Sequence, residues 1–430
     1  MKPSRFNIIF EHNGKNYITN TVSKSITELE DKYKTAIECG ELSTFSKDEQ
    51  KYLLEKGFAV EDGIDEIGLL RYRANKIKDS KEEMEFVIAP TLACNLKCTY
   101  CFETPRIGFM SEETQKNVLL FIFNKANTDE NKRIHIIWFG GEPLLYPEIV
   151  INMNQKIYEF CKQNGKELRS DIITNGYLLN KELLERLKAA HINHFQITMD
   201  GVKKIHDSRR MLCNGCGTYD VIYNNLKLFK DFDIPVSLRI NVDKNNISSF
   251  NKLEQEIFNL NNPKIECSPA LVEVSSKHLD DDVSNDCFTD DNGMGYYYTN
   301  EYIKKYYNTH RISDYSLRLF FCEAEHHHSF AIDELGNVYK CWNSLGVDKD
   351  ILCTVTDEEY NPSILSTFFS RDPFTEGDCK DCPYIPICAG GCLMQKQLHN
   401  NKNFCADCKY TFLQAAKREI DNPQDEEVTE

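Results

Sequence analysis

An α/β fold built on a parallel, barrel-like sheet is what this sequence predicts, on three observations. From residue 83 onward, six apolar strand-like runs alternate with helical patterns, and that alternation is the signature of parallel strands joined by helical crossovers. The first helix carries a clear start signal, with Ser111 as N-cap and Glu112 and Glu113 in its first turn. The chain's polar oddities fall just after strands, where sheets of this type keep their chemistry. The strands read MEFVIAP, RIHIIWFGG, SDIITNG, HFQITMDG, PVSLRINVD and KIECSPA. The helices between them read SEETQKNVLLFIFNKA, PEIVINMNQKIYEFCKQNG, NKELLERLKAAHI, TYDVIYNNLKLFKDF and NISSFNKLEQEIFNL.

Residues 1–82 read as a separate module. RFNIIFEHNGKNYITNT is a strand, a turn at Asn13-Gly14 and a second strand, which is a hairpin signal. Two helical patterns follow; Ser46 and Glu49 make a capping box for the second, and Gly57 suits its C-terminal stop. Strands with short helices suit a winged-helix-like module, a type that can take a peptide as an added strand at a sheet edge. The core is expected over 83–310 and a cysteine-rich domain over 311–415. Residues 278–293 read as a solvated acidic loop. The tail 416–430 ends in NPQDEEVTE and is expected to be disordered.

Composition excludes several functions. The 430 residues carry a net charge of -16, which gives no grip on nucleic acid or an anionic membrane. No apolar run is long enough to span a bilayer, and the N-terminus lacks a signal-peptide core. A cytoplasmic protein is expected. Eighteen cysteines at metal-ligand spacings, in a long chain without an export signal, point to metal clusters in a reducing compartment rather than disulfides.

The first cysteine group is Cys94-x3-Cys98-x2-Cys101, on the loop after the first strand. A closed zinc site wants four ligands; three thiolates hold three irons of a cubane and leave the fourth open. This loop resembles that of the radical S-adenosylmethionine (radical-SAM) superfamily. The resemblance implies that SAM chelates the open iron and that reductive cleavage yields a 5′-deoxyadenosyl radical, which abstracts a hydrogen atom. It further implies a cofactor site built from Phe102 near the adenine and from Gly140, Gly141, Glu142 and Pro143 of FGGEP at the amino group. Thr174 and Asn175 of TNG and Thr198 of TMDG supply polar contacts, Thr198 to the ribose. Arg210, from HDSRR, and Arg239 are the expected cations for the SAM carboxylate.

The C-terminal cysteines run Cys322-x13-Gly336-x4-Cys341, then Cys379-x2-Cys382-x5-Cys388-x3-Cys392, then Cys405-x2-Cys408. This order resembles the SPASM extension of radical-SAM enzymes, which carries two auxiliary iron–sulfur clusters. The resemblance implies that Cys322, Cys341 and Cys392 hold the first, with Cys408 or an open iron completing it. Cys379, Cys382, Cys388 and one late cysteine, Cys405 preferred over Cys408, hold the second. Zinc on Cys379, Cys382, Cys405 and Cys408 is the competing reading, and it leaves Cys322, Cys341, Cys388 and Cys392 unexplained. Cys213 and Cys216 form an extra CxxC near the active face, and His326-His327-His328 is read as packing, since adjacent strand residues point to opposite faces.

Module, core and cluster domain in this order resemble the maturases of ribosomally made, post-translationally modified peptides. The implied fold is a partial (β/α)6 radical-SAM barrel between a winged-helix-like module and a SPASM domain. The implied activity is hydrogen abstraction from a precursor peptide bound through residues 1–82, closing a thioether or carbon–carbon crosslink. An external donor such as flavodoxin or ferredoxin supplies the electron. The alternatives are an anaerobic sulfatase maturase, which makes formylglycine from Cys or Ser with Asp200 or a neighbour as base, and a non-catalytic peptide-binding or zinc-scaffold protein. No single acid or base residue is assigned.

Overall fold

The structure is a computed structural model and describes residues 1–272, 286–288, 293, 296–298, 300, 310–357, 359–398 and 405–422. Most of the expected acidic loop and the end of the tail lie outside these residues. The chain divides into two compact units: Met1–Lys78 with Asp290–Cys322 and Arg371–Glu430, and Asp79–Thr289 with Glu323–Ser370. The cysteine-rich segment expected as one domain is thus shared between them.

In the first unit, strands β1 (Asn7–His12), β2 (Lys15–Asn20) and β3 (Ile26–Leu29) form an antiparallel sheet in that order. Asn13 and Gly14 turn the hairpin with φ of 52° and 75°, the pair of left-handed residues that a two-residue turn needs. Helices α1 (Asp31–Cys39) and α2 (Lys47–Glu55) follow. Ser46 and Glu49 close the expected capping box, and Gly57 sits just past the end of α2 at φ 74°. Ile18, Leu29, Ile37, Leu42, Phe45, Leu53 and Phe58 make the core.

Helix α3 (Glu66–Lys78) buries Ile67, Leu70 and Ala74 with Phe6 against Phe374 and Ile385. Arg71 reaches Asp372 at 2.6 Å. Ile8, Phe10 and Ile26 of the sheet pack on a second cluster that holds Ile387, Cys388, Cys408 and Phe412. The N-terminal segment and the last third of the cysteine segment therefore share cores. The C-terminal helix runs Cys408–Asp421 and buries Phe412, Ala415 and Ala416. Residues 416–421, expected in a disordered tail, are helical because the apolar face of this helix extends through Ala416.

The second unit holds the parallel sheet: β4 (Glu83–Ile88), β5 (Arg133–Trp138), β6 (Glu167–Thr174), β7 (His194–Thr198), β8 (Val236–Val242) and β9 (Ile265–Leu271). They pair in sequence order, each parallel to the next. Helices α4 (Glu112–Ala126), α5 (Pro147–Gln163), α6 (Lys181–Ala189), α7 (Lys203–Arg209), α8 (Tyr219–Leu228) and α9 (Phe250–Phe258) make the crossovers. The sheet is longer than the six strands expected. Ser329–Ile332 (β10) pairs parallel to β4, and Asn337–Tyr339 (β11) and Cys353–Thr354 (β12) continue it antiparallel, giving nine strands. β10 is only four residues long and wholly buried, so it shows no alternation for a sequence reading to find. Among the described residues no helix is long and apolar enough to cross a membrane.

Candidate functional site

The site lies at the C-terminal ends of β4 to β8. After β5 the chain reads Phe139-Gly140-Gly141-Glu142-Pro143. Gly140 has φ 103°, and a Cβ there would lie 2.8 Å from that of Ala89. A Cβ at Gly141 would collide with the carbonyls of Leu92 and Ala93. The two glycines thus let this turn lie flat on the segment that leads into Cys94, and Gly141 N and Glu142 N donate to the carbonyls of Thr91 and Ala93 at 3.2 and 2.9 Å. The close approach expected toward a ligand is made first to this backbone.

Glu142 is fully buried. Its carboxylate accepts from Leu144 N at 2.9 Å, Thr174 Oγ1 at 2.7 Å and Asn175 N at 2.8 Å. Burial pushes its carboxyl pKa up, against the pull of those three donors. The side chain expected at the amino group joins the ends of β5 and β6. Asn175 then carries the link onward, donating to Asn95 Oδ1 at 2.8 Å and reaching Cys94 Sγ at 3.9 Å. Leu96 N points at the same sulfur at 3.4 Å. Burial, then the charge of Glu142, pushes the Cys94 thiol up to about 12, so an unligated thiol stays protonated here and would release its proton to solvent on binding iron.

Cys98 lies on a short strand, Leu96–Cys98, which pairs antiparallel with Arg210–Leu212 and sets Cys98 opposite Arg210. Burial raises the Cys98 thiol, and the Arg210 guanidinium opposes that rise. Arg210 Nη1 donates to the Tyr100 hydroxyl at 2.8 Å. Tyr100 donates to Asp200 Oδ1 at 2.8 Å, and Asn241 Nδ2 donates to the same hydroxyl at 3.0 Å. Arg209 lies over the Tyr100 ring, 4.8 Å from its centroid, and bridges Asp200 at 2.9 Å to Asp243 at 2.5 Å. A buried lattice of two carboxylates and two guanidiniums therefore holds the middle of the cysteine loop, with Arg209 paired to both carboxylates and Arg210 bonded to the Tyr100 hydroxyl between them.

Tyr100 is the functional residue that sequence reasoning missed. The sequence expectation names Phe102 alone as the aromatic of this loop. Phe102 stacks on Phe139 with centroids 6.4 Å apart. Thr198 is buried at the end of β7, in register with Arg239 of β8. Arg239 Nε donates to Asn241 Oδ1 at 2.8 Å, joining the lattice through the residue that also bonds Tyr100. Pro143 opens a short 3-10 turn and is buried. Arg210, expected to face a carboxylate ligand, is 8 % exposed and spends Nη1 on Tyr100, while its Nε lies buried with no hydrogen-bond partner.

A family model described as the radical SAM superfamily matches residues 88–257. Residues 88–257 form a radical SAM domain. Its matched span runs from the end of β4, before the cysteine loop, into α9, and so includes every strand end described above. The chain is also 23% identical, over 77% of its length and 95% of the relative's, to a cysteine-type anaerobic sulfatase-maturating enzyme of Clostridium novyi (strain NT). Among solved structures it resembles native anSMEcpe with bound AdoMet, with TM-score 0.58, 19% identity and coverage of 78% of this chain and 99% of that one. It also resembles Streptococcus suis SuiB bound to precursor peptide SuiA, with TM-score 0.52, 15% identity and coverage of 91% and 95%.

The cysteine loop of the radical SAM domain suits a [4Fe–4S] cluster. Among the described residues no three His, Cys, Asp or Glu side chains converge on a single ion, and a cubane, whose thiolates each take a different iron, does not ask them to. Cys94 sits among the charges of Cys98 and Cys101, with Leu96 N and Asn175 Nδ2 directed at its sulfur. In the first unit, Cys379, Cys382, Cys388 and Cys408 act on one another in the same way. Cys388 packs with Cys408 in one buried cluster, and its interactions with Cys408 and with the amides of Ala406 and Gly390 hold its thiol below the ordinary value. Ala389, Gly390 and Gly391 all have positive φ, from 51° to 84°, which turns this loop around the Cys388 sulfur. Cys408, the late cysteine weighed against Cys405, shares a buried cluster with Cys388.

Proposed function

We propose that this chain is a radical-SAM enzyme that modifies a peptide, with Cys94, Cys98 and Cys101 holding a [4Fe–4S] cluster whose open iron takes SAM. The observation that carries this reading is the convergence of the cysteine loop, the GGEP turn and the TNG segment at neighbouring strand ends, joined by Glu142 and Asn175. When bound, the cluster and SAM supply the radical that removes a hydrogen atom from substrate. The chain's own work is positional. Glu142 and the two glycines fix the turn against the cysteine loop, and the Tyr100–Asp200–Arg209–Asp243 lattice fixes its middle. Preorganised polar groups in a buried site need no rearrangement when charge develops.

Cys379, Cys382, Cys388 and Cys408 are proposed as ligands of an auxiliary cluster, and Cys322, Cys341 and Cys392, on spacing alone, as ligands of another. The three-stranded sheet of the first unit is proposed to take the precursor peptide, since tethering raises the effective concentration of a distant reacting residue. Thr198, Arg239 and Phe102 remain proposed contacts to SAM. A flavodoxin or ferredoxin is the proposed electron source, and the cytoplasm the proposed compartment.

A second reading is favoured by the sulfatase-maturating relative, of which the chain covers 95%: oxidation of a Cys or Ser side chain to formylglycine. One experiment tests both. The reconstituted protein is given SAM, dithionite and either a candidate precursor peptide that carries a leader or a short sulfatase-type Cys peptide, each deuterated at carbon. Deuterium in 5′-deoxyadenosine from the first alone supports the peptide maturase. Deuterium from the second alone transfers the assignment to the sulfatase maturase. None from either peptide, in the presence of intact clusters, contradicts both.

A further inference from the structure

Lys24 stands where no surface lysine needs to be. It follows the tight turn Asn20–Lys24, in which Asn20 Oδ1 accepts from Val22 N and Ser23 N at 2.9 and 3.0 Å and Lys24 N donates to Asn20 O at 2.9 Å. Lys24 itself has φ 60°, an unfavourable setting for a side chain with a Cβ. The turn joins β2 to β3, and it is fixed to the cysteine segment: Thr21 Oγ1 donates to Pro383 O at 2.5 Å, one residue past Cys382. Thus anchored, Lys24 turns inward. Its ammonium bonds Thr21 O and lies 5.7 Å from the centroid of the Phe412 ring. Phe412 is one helical turn beyond Cys408, so the two share a helix face. Burial lowers the pKa of this ammonium to about 8, and Cys408, when ionised, opposes that lowering.

The partner of Cys408 makes the placement chemical. Cys388, Cys408 and Phe412 share one buried cluster, so the ring over which the Lys24 ammonium lies is packed beside two of the proposed ligand sulfurs. Other cations bear on the same group: Arg318 on Cys388 and Cys408, Lys396 on Cys379, and Lys409 on Cys382. Lys24 differs from them in its origin. It is the cation that the N-terminal sheet delivers, across more than 350 residues of sequence, to the cysteine ligands.

We propose that Lys24 is a positioning residue of the auxiliary cluster held by Cys379, Cys382, Cys388 and Cys408, and that its fixed charge raises the reduction potential of that cluster. This rests on the cluster reading given under Proposed function. A cluster that gains an electron gains negative charge, and a nearby fixed cation favours the reduced form, more strongly where water is excluded. The sheet proposed to hold the precursor peptide thereby carries, on its own β2–β3 turn, a group that sets the electron affinity of a cluster.

The test is a potentiometric titration followed by electron paramagnetic resonance on the full-length, reconstituted chain. The background is Cys94→Ala/Cys98→Ala/Cys101→Ala, which leaves only auxiliary signals, and Cys408→Ser identifies the signal that belongs to this cluster. Lys24→Met keeps the aliphatic stem and removes the charge, Lys24→Arg keeps the charge, and exposed Lys51→Met controls for net charge. The expected result is a more negative midpoint for the Cys408-dependent signal in Lys24→Met. At a fixed potential the reduced-to-oxidised ratio falls about tenfold, equal to about 59 mV for one electron. Lys24→Arg restores the midpoint, Lys51→Met leaves it unchanged, and iron and sulfide contents stay equal. An unmoved midpoint in Lys24→Met at full iron content overturns the role of Lys24 and leaves the cluster reading standing. Equal shifts in Lys24→Met and Lys24→Arg also overturn it, because packing rather than charge would then be responsible. The absence of any Cys408-dependent signal in the Lys24-containing protein overturns both.

Discussion

Glu142 and Thr174 meet at 2.7 Å, both buried, and through them the ends of two neighbouring strands are locked together behind the cysteine loop. Glu142→Gln keeps the shape but replaces one acceptor oxygen with a donor. A donor among Leu144 N, Asn175 N and the Thr174 hydroxyl is then left facing an amide N–H. An unsatisfied buried group costs about 1–3 kcal/mol. Urea denaturation of the apo-protein is expected to show a loss in that range, with lower retention of iron after reconstitution.

Gly141 has no room for a methyl group against the carbonyls of Leu92 and Ala93. These are backbone atoms on the approach to Cys94, so relief must come from moving the cysteine loop itself. Gly141→Ala is expected to abolish iron binding at Cys94, Cys98 and Cys101 while leaving auxiliary iron in place. Iron analysis in the Cys408→Ser background, compared with Gly141→Ala alone, measures that selectivity.

His135 provides a pH test of the sheet. Burial opposes its charge, but Asp171 at 3.1 Å and Glu85 at 2.9 Å overcome that and raise it to about 9. The ordinary imidazole value is about 6.5. Stability from this ion triad is full below about pH 6.5 and is lost as pH rises through about 9. The lost amount is up to about 3 kcal/mol, at 1.36 kcal/mol per pKa unit. Denaturation midpoints at pH 7 and 9.5 should fall in the wild type, and His135→Gln should flatten that dependence.

Removing Met1–Lys78 should do more than abolish peptide capture. Phe6, Ile67, Leu70 and Ala74 share a core with Phe374 and Ile385, and Ile8, Phe10 and Ile26 share one with Cys388 and Cys408. The truncated chain is expected to lose the iron bound at Cys379, Cys382, Cys388 and Cys408. An unchanged iron and sulfide content after truncation would contradict it.

The sequence made the six parallel strands legible because helices of the right period separate them and polar motifs mark the ends of the earlier ones. It made Cys94, Cys98 and Cys101 legible because ligand spacing is local. What stayed hidden depends on tertiary contacts. Tyr100 matters through Asp200, Arg210 and Asn241, which come from later strand ends, so its role has no local pattern. The choice between Cys405 and Cys408 has no local signature, since both lie at workable distances from Cys392; the proposal of Cys408 rests on its packing beside Cys388. The last three strands were hidden because they are short and buried. The contacts of Glu142 to Thr174 and Asn175 were hidden as those of Tyr100 were, since those partners come from the end of β6.

The most direct test of the central claim is anaerobic. The wild type and the Cys94→Ala/Cys98→Ala/Cys101→Ala variant are reconstituted, given SAM and dithionite, and assayed for 5′-deoxyadenosine by chromatography. The account predicts formation by the wild type and none by the variant, with auxiliary iron retained in both. No 5′-deoxyadenosine from a wild type that holds its full iron, or equal amounts from both proteins, would contradict it.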